Sequence, residues 1–230
     1  MGDIAEKIYS IAVDGPSGAG KSSLAKAIAA ELHILYVDTG AIYRTIGCYA
    51  RRKGVETADT EAVIALLPEV EIGMCYDAQG LQHMLLHGED VTEEIRLPEM
   101  SLYASAVSAI PEVRAFLLEM QRDFARKSSV IMDGRDIGTV VLPHADVKIF
   151  LKADVEVRAR RREIELQERG TPRPYEQVLE EMRQRDYNDT HRSAAPLRAA
   201  EDAVIVDTSD LDFQQSKEKL LEIIREKVGL

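Results

Sequence analysis

The chain has 230 residues, 45% hydrophobic and 30% charged, and a formal net charge of −11. That balance excludes a broad basic face for a long nucleic acid, but a small anionic ligand needs only a local cluster of arginine and lysine. Two cysteines, Cys48 and Cys75, stand outside CxxC spacing and without a companion His/Cys set, which excludes a disulfide scaffold and a structural zinc site.

The start, "MGDIAEKIYS", has no apolar segment after a basic one, and Glu6 stands where a myristoylation motif needs Ser or Thr. No apolar stretch reaches 18 residues. The expectation is a cytoplasmic protein with reduced thiols and no membrane segment. Residues 7–14, "KIYSIAVD", alternate as a strand does. From Ser22, Leu24, Ile28 and Leu32 recur at helical spacing. Residues 34–38 predict a second strand, and 41–54 a helix stopped by Gly54. A short helix follows over 59–67. Two β-type runs around Asp77–Gly80 predict a hairpin or small antiparallel insert. Helices are predicted over 99–109 and 111–127, the latter opened by Pro111. Residues 129–133 and 147–151 are apolar runs of buried-strand type. Helices over 154–169 and 174–190 flank "RGTPRP". A fifth strand at 203–207 and an amphipathic helix at 213–228 close the chain. Five short strands interleaved with helices predict an α/β fold on a parallel sheet.

"GPSGAGKSS", residues 15–23, follows the first strand and opens the first helix. It fits G-x-x-x-x-G-K-[ST], the phosphate-binding P-loop. Gly15, Gly18 and Gly20 let the backbone turn its N–H groups toward one anion, helped by Pro16, Ser17 and Ala19 between them. The helix start adds its positive dipole end. Lys21 supplies a mobile charge for the outer phosphates, and Ser22, beside Ser23, a hydroxyl for Mg²⁺. The glycine order is not that of a dinucleotide-binding turn. A GTPase would add D-x-x-G and N-K-x-D. The one D-x-x-G is "DAQG" inside the predicted hairpin, and the one asparagine, Asn188, precedes Asp189.

In an open α/β sheet, ligands gather at the carboxyl ends of strands. "DTGAIYR" and "DGRDIG" end the second and third core strands. They bring Thr39, Tyr43, Arg44, Arg135 and Asp136 toward the P-loop. Two arginines beside a triphosphate site point to a second phosphate. Arg185, Asp189 and Arg192 stand at i, i+4 and i+7, which puts them on one helix face. With the arginines of "RARRR" (158–162) they form either a solvated charged surface or a lid over the phosphates. Asp133 either holds a metal through water or caps strand-end amides. His33, His83, His87, His144 and His191 form no metal-spaced set. These residues leave three readings open: a nucleotide kinase, a P-loop kinase of another small acceptor, and a nucleotide-dependent binding switch.

The combination "IAVDGPSGAGKSS", "DTGAIYR", "GEDVTEEIR", "SAVSAIPEVR", "DGRDIGTVVLPHADVKIFL" and "RQRDYNDTHRSAAPL" resembles the bacterial cytidylate (CMP) kinases of the nucleoside monophosphate kinase group, nearly end to end. The resemblance implies one P-loop kinase domain over 1–230, with a five-stranded parallel core (1–62, 98–157, 199–230), a small antiparallel CMP-binding insert (63–97) and a helical lid (158–198). It implies ATP and Mg²⁺ as donor and cofactor and CMP and dCMP as acceptors; with no sequence feature for a protein partner, a monomer is the default expectation. Residues 15–23 would bind ATP. Ser105, Arg114 and Asp136 would face the cytosine, and Arg44, Arg135 and Arg192 would hold the CMP phosphate. Arg185 and Asp189 would reach the sugar, and Arg161 the ATP side of the lid. Lys21, Arg135, Arg161 and Arg192 would carry the transfer. Thr39 keeps the hydroxyl that some members carry on Ser. Ser22-Ser23 replaces a Gly-Thr pair of some members.

Overall fold

The computed structural model describes residues 8–230. The readings of the N-terminal stretch and the expected strand start at Lys7 lie outside the described residues. In chain order the elements are β1 (Ser10–Asp14), α1 (Lys21–Leu32), β2 (Leu35–Asp38), α2 (Thr39–Arg52), α3 (Thr60–Leu66), β3 (Ile72–Tyr76), β4 (Gln82–Leu86), β5 (Glu89–Asp90), α4 (Met100–Val107), α5 (Pro111–Lys127), β6 (Val130–Gly134), β7 (Val147–Lys152), α6 (Val155–Glu168), α7 (Tyr175–His191), β8 (Val204–Asp207) and α8 (Phe213–Val228).

The core is a five-stranded parallel sheet in the order β2-β6-β1-β7-β8. Its strands are mostly apolar on both faces because helices cover both sides. Successive residues point to opposite sides. Ile11, Val13, Ile131, Ile149 and Leu151 pack against α1 and α8. Ala12, Val130, Met132 and Val37 pack against α2, α4 and α5. α2 begins two residues earlier than the hydrophobic pattern predicts, because the Asp38 carboxylate accepts from the Ala41 N–H and caps it. Pro111 sits in the first turn of α5 as expected.

Two features add to the predicted elements. The hairpin is a three-stranded antiparallel sheet, β3-β4-β5. "DAQG" is its turn: the Asp77 carboxylate accepts from the Gln79 and Leu81 N–H groups, and Gly80 takes φ 74°. A π-helical turn, Ile137–Val141, follows β6 where no helix is predicted. Its five-residue hydrogen bonds leave no apolar period to read.

The small sheet is fastened to the core at the end of β2. The Gln82 carboxamide accepts from the Asp38 N–H at 2.7 Å, and the Tyr76 hydroxyl donates to the Tyr36 carbonyl at 2.8 Å. This covers an edge strand that would otherwise present unpaired backbone groups. α6 and α7 form a hairpin with its own small core of Ala159, Leu166, Val178 and Met182.

Candidate active site

The P-loop lies between β1 and α1, and two glycines show why it is bare. Gly15 takes φ +146°, and a Cβ there would stand 2.1 Å from the Leu151 carbonyl oxygen. Gly18 takes φ +76°, and a Cβ there would stand 2.8 Å from the Met182 side chain of α7. The loop is thus pressed against β7 on one side and the α6–α7 hairpin on the other. Arg158 completes the second contact. It is buried, donates to the Ser17 carbonyl at 3.0 Å and pairs with Asp186 at 2.6 Å. The run "RARRR" predicted basic groups here. Which of the five positions turns onto the loop depends on helix phase, so Arg158 could not be singled out by composition.

Lys21 opens α1 and is buried, its ammonium donating to the Pro16 carbonyl at 2.8 Å. Burial, joined by Arg135 and Arg185, drives its pKa well below the ordinary lysine value against the pull of Asp133 and Asp14. Burial and Arg135 likewise bring Arg185 down to about 10. Three buried guanidinium nitrogens, Arg44 Nε, Arg185 Nε and Arg192 Nη2, have no hydrogen-bond partner. Buried donors without acceptors are costly, and like charges held together out of water are more so. The cluster is short of negative charge, and polyanionic phosphates satisfy both needs at once.

The carboxylates around it are already engaged. Arg44 pairs with Asp38 at 2.7 Å, and Arg135 with Asp189 at 2.7 Å. Burial pushes the Asp189 carboxyl up, but Arg135 and Arg185 outweigh it and hold the group below its usual range. Asp136 is buried between Arg114, which donates to it directly, and Arg192, 3.7 Å away. Ser108 joins the two arginines: its carbonyl accepts from Arg114 at 3.1 Å and its hydroxyl from Arg192 at 3.3 Å. The Tyr43 ring lies over the Arg114 guanidinium, 5.5 Å to its centroid. Ser105, Asp189 and Arg192 line a cleft of about 540 Å³ with Leu102 and Tyr187, a size suited to one small ligand.

One expectation is corrected. Arg192 is not on the α7 face. The helix ends at His191, and Arg192 caps it with extended backbone, which turns its guanidinium away from the helix toward Ser108 and Asp136. Arg161 stands apart from these arginines, on the P-loop side. It donates to the Thr208 carbonyl at 2.6 Å, in the loop after β8, and Thr208 in turn reaches the Ala19 carbonyl at 3.4 Å.

Asp133 ends an apolar strand with its carboxylate buried. Oδ2 accepts from the Ser22 hydroxyl at 2.7 Å and Oδ1 from the Tyr36 hydroxyl at 2.8 Å. Thr39 donates to its carbonyl at 2.7 Å. Burial and the nearby Asp38 raise its carboxyl pKa, opposed by Lys21 and the two hydroxyls. A divalent cation fits this donor set. It would relieve the two carboxylates, and Mg²⁺ is ordinarily held by one or two protein oxygens plus phosphates. No cluster of three or more His, Cys, Asp or Glu with metal-holding geometry occurs among the described residues. The amide-capping alternative considered for Asp133 belongs instead to Asp14, which the sequence did not single out.

The cytidylate kinase family model matches residues 11–226. The chain is similar to the cytidylate kinase of Caldicellulosiruptor saccharolyticus, 47% identical over 223 residues, covering 97% of this chain and 98% of that protein. It is also similar to the cytidylate kinase of Pelotomaculum thermopropionicum, 48% identical over 205 residues, covering 89% and 91%. A solved structure of an uncharacterized protein from Eubacterium ventriosum covers 94% of this chain and 98% of that one with a TM-score of 0.52 at 12% identity, a likeness of fold alone.

Proposed function

Because the chain belongs to the cytidylate kinase family, the phosphotransferases of CMP and dCMP, we propose that its P-loop takes ATP and that the cleft beside α4 and α7 takes the acceptor nucleotide. The observation that carries this division is the charge-short cluster of Lys21, Arg44, Arg135, Arg185 and Arg192, in which one buried guanidinium nitrogen each of Arg44, Arg185 and Arg192 lacks a partner. Phosphoryl transfer asks for alignment and neutralisation rather than covalent help.

In this reading the backbone of residues 15–20 cradles the ATP phosphates, and Lys21 leaves the Pro16 carbonyl to meet the transferring group. Ser22 and Asp133 would hold Mg²⁺, which neutralises charge on the phosphates when bound. Arg44, Arg135 and Arg192 bind the acceptor phosphate and bring its oxygen in line with the donor. Arg185, which lies near Lys21 and Arg135, reaches the sugar. Asp189 holds Arg135 in place and reaches the sugar. Arg114 and Asp136 face the cytosine edge, where the carboxylate accepts from the exocyclic amine. Arg161, anchored at Thr208 behind the P-loop, borders the adenosine side. Every one of these groups comes from one chain, so a monomer suffices. No helix among the described residues is long and apolar enough to cross a membrane, and Cys48 and Cys75 are both unpaired. A cytoplasmic location fits these features and the ATP supply.

ADP release measured over a panel of CMP, dCMP, UMP, AMP and a polyol tests the reading. CMP and dCMP are expected to stimulate release strongly, and UMP more weakly. Absence of acceptor-stimulated turnover would leave a nucleotide switch, and stimulation by the polyol alone would leave a different P-loop kinase.

The α6–α7 hairpin touches the P-loop through Arg158 and the acceptor side through Asp189 and Arg192. It therefore senses both sites. ATP and CMP together are expected to slow hydrogen exchange over residues 155–195 more than either ligand alone. Equal exchange in all four states would rule out a ligand-gated lid.

A further inference from the structure

Asp14 is the last residue of β1, and the P-loop begins at the next position. It is buried, and both oxygens of its carboxylate are engaged by one neighbouring segment. Oδ1 accepts from the Ile137 N–H at 2.8 Å, and Oδ2 from the Gly138 N–H at 2.7 Å. Those two amides open the π-helical turn that directly follows Arg135 and Asp136. In the sheet, Asp14 stands opposite Gly134 of β6. One carboxylate thus ties the start of the donor loop to the turn that carries two acceptor-site residues. Strand pairing stops at this point, so no ladder hydrogen bond sets the spacing beyond it.

The environment does not favour a carboxylate here for stability. Burial pushes the Asp14 carboxyl up to about 6, against the two amides, with Asp136 pushing the same way and Lys21 opposing. The native protein then holds this proton more tightly than the unfolded chain does. As pH rises from about 4 through 6, ionising Asp14 weakens the fold. Groups kept ionised against such a gradient cluster where geometry serves a reaction.

We infer that Asp14 is a positioning residue that sets the spacing between the donor-phosphate loop and the Arg135–Asp136 turn, and so aligns the two substrates for transfer. The inference rests on the proposed assignment of the P-loop to ATP and the 135–136 turn to CMP. It separates Asp14 from residues that bind either substrate, because its oxygens are occupied by backbone amides. Loss of alignment lowers the rate of transfer without removing any contact to a single ligand.

The test is Asp14→Asn in the full-length protein, because the amide keeps the shape but cannot accept from both N–H groups. kcat is expected to fall about tenfold. The dissociation constants of CMP alone and of ATP alone, read by calorimetry, are expected to stay within about twofold of wild type, and Tm within a few degrees. A wild-type kcat in the variant would overturn the inference, as would a loss carried by the affinity of either ligand alone. If the variant does not fold, Asp14→Glu, which keeps the charge and both acceptor oxygens but lengthens the side chain by one methylene, probes the spacing directly. A lower kcat with unchanged binary affinities supports the inference, and an unchanged kcat overturns it. Wild-type protein that binds no CMP would instead sink the functional assignment itself.

Discussion

Replacing Lys21 with alanine is expected to lower turnover at saturating ATP by about 10²–10³-fold while Tm stays level or rises. The two halves of this expectation have one cause. The Lys21 ammonium is buried, satisfied only by the Pro16 carbonyl, and faces Arg135 and Arg185, which depress its pKa. In the unliganded fold it adds positive charge to a site already short of anions. Removing it relieves that repulsion, so the fold has little to lose. During transfer the same charge lies where negative charge develops in a water-poor site, and interactions of that kind carry most of the rate in phosphoryl transfer. kcat at saturating ATP together with a thermal melt checks both halves. A variant that turns over near the wild-type rate would remove Lys21 from the chemistry. A variant that melts far below wild type would make it a structural residue.

Asp136→Ala is expected to lower kcat/KM for CMP on the order of 10²-fold and to narrow its lead over UMP about tenfold. Asp136 is buried between Arg114 and Arg192, so its loss leaves two guanidinium groups without their shared anion. That alone weakens the acceptor site for any base. The selectivity term is separate. A carboxylate only accepts hydrogen bonds, so it favours the exocyclic amine of cytosine and repels the O4 of uracil. A polar base contact of this kind distinguishes bases by about 1–3 kcal/mol. Asp136→Asn divides the two effects, because the amide presents both a donor and an acceptor. It is expected to keep more of the CMP activity while still narrowing the ratio. The measurement is kcat/KM for CMP and UMP in wild type and both variants. An unchanged ratio would show that Asp136 does not read the base. An equal fall for both substrates would assign it to phosphate placement through its neighbour Arg135.

The sequence alone determined the layers of this protein and its donor loop. Strand runs at 11–13 and 130–132 are apolar on both faces and 147–151 is broken only by Lys148, so they demanded a sheet covered on both sides. The spacing of Gly15, Gly18, Gly20, Lys21 and Ser22 carries its own mechanism within eight residues, and local spacing survives any tertiary arrangement. Arg44 and Arg135 of the acceptor side were legible for a related reason: they follow strand ends, where an α/β sheet gathers its ligands.

Tertiary structure alone decided which partner each charge has. Helix phase chose Arg158 of the five-residue basic run to meet the P-loop, and left Arg161 at Thr208. The end of α7 at His191 turned Arg192 onto Ser108 and Asp136, where an unbroken helix would have kept it with Arg185. Ser108, Gln82 and Tyr36 are ordinary polar residues in the sequence. Each matters because a distant segment arrives within hydrogen-bond reach. Asp14 is the clearest case. Beside a glycine-rich loop it reads as a strand end, yet its carboxylate takes amides 123 and 124 residues away. Hydrogen bonds of that span leave no periodicity or spacing in the chain, and only the packed sheet brings their two ends together.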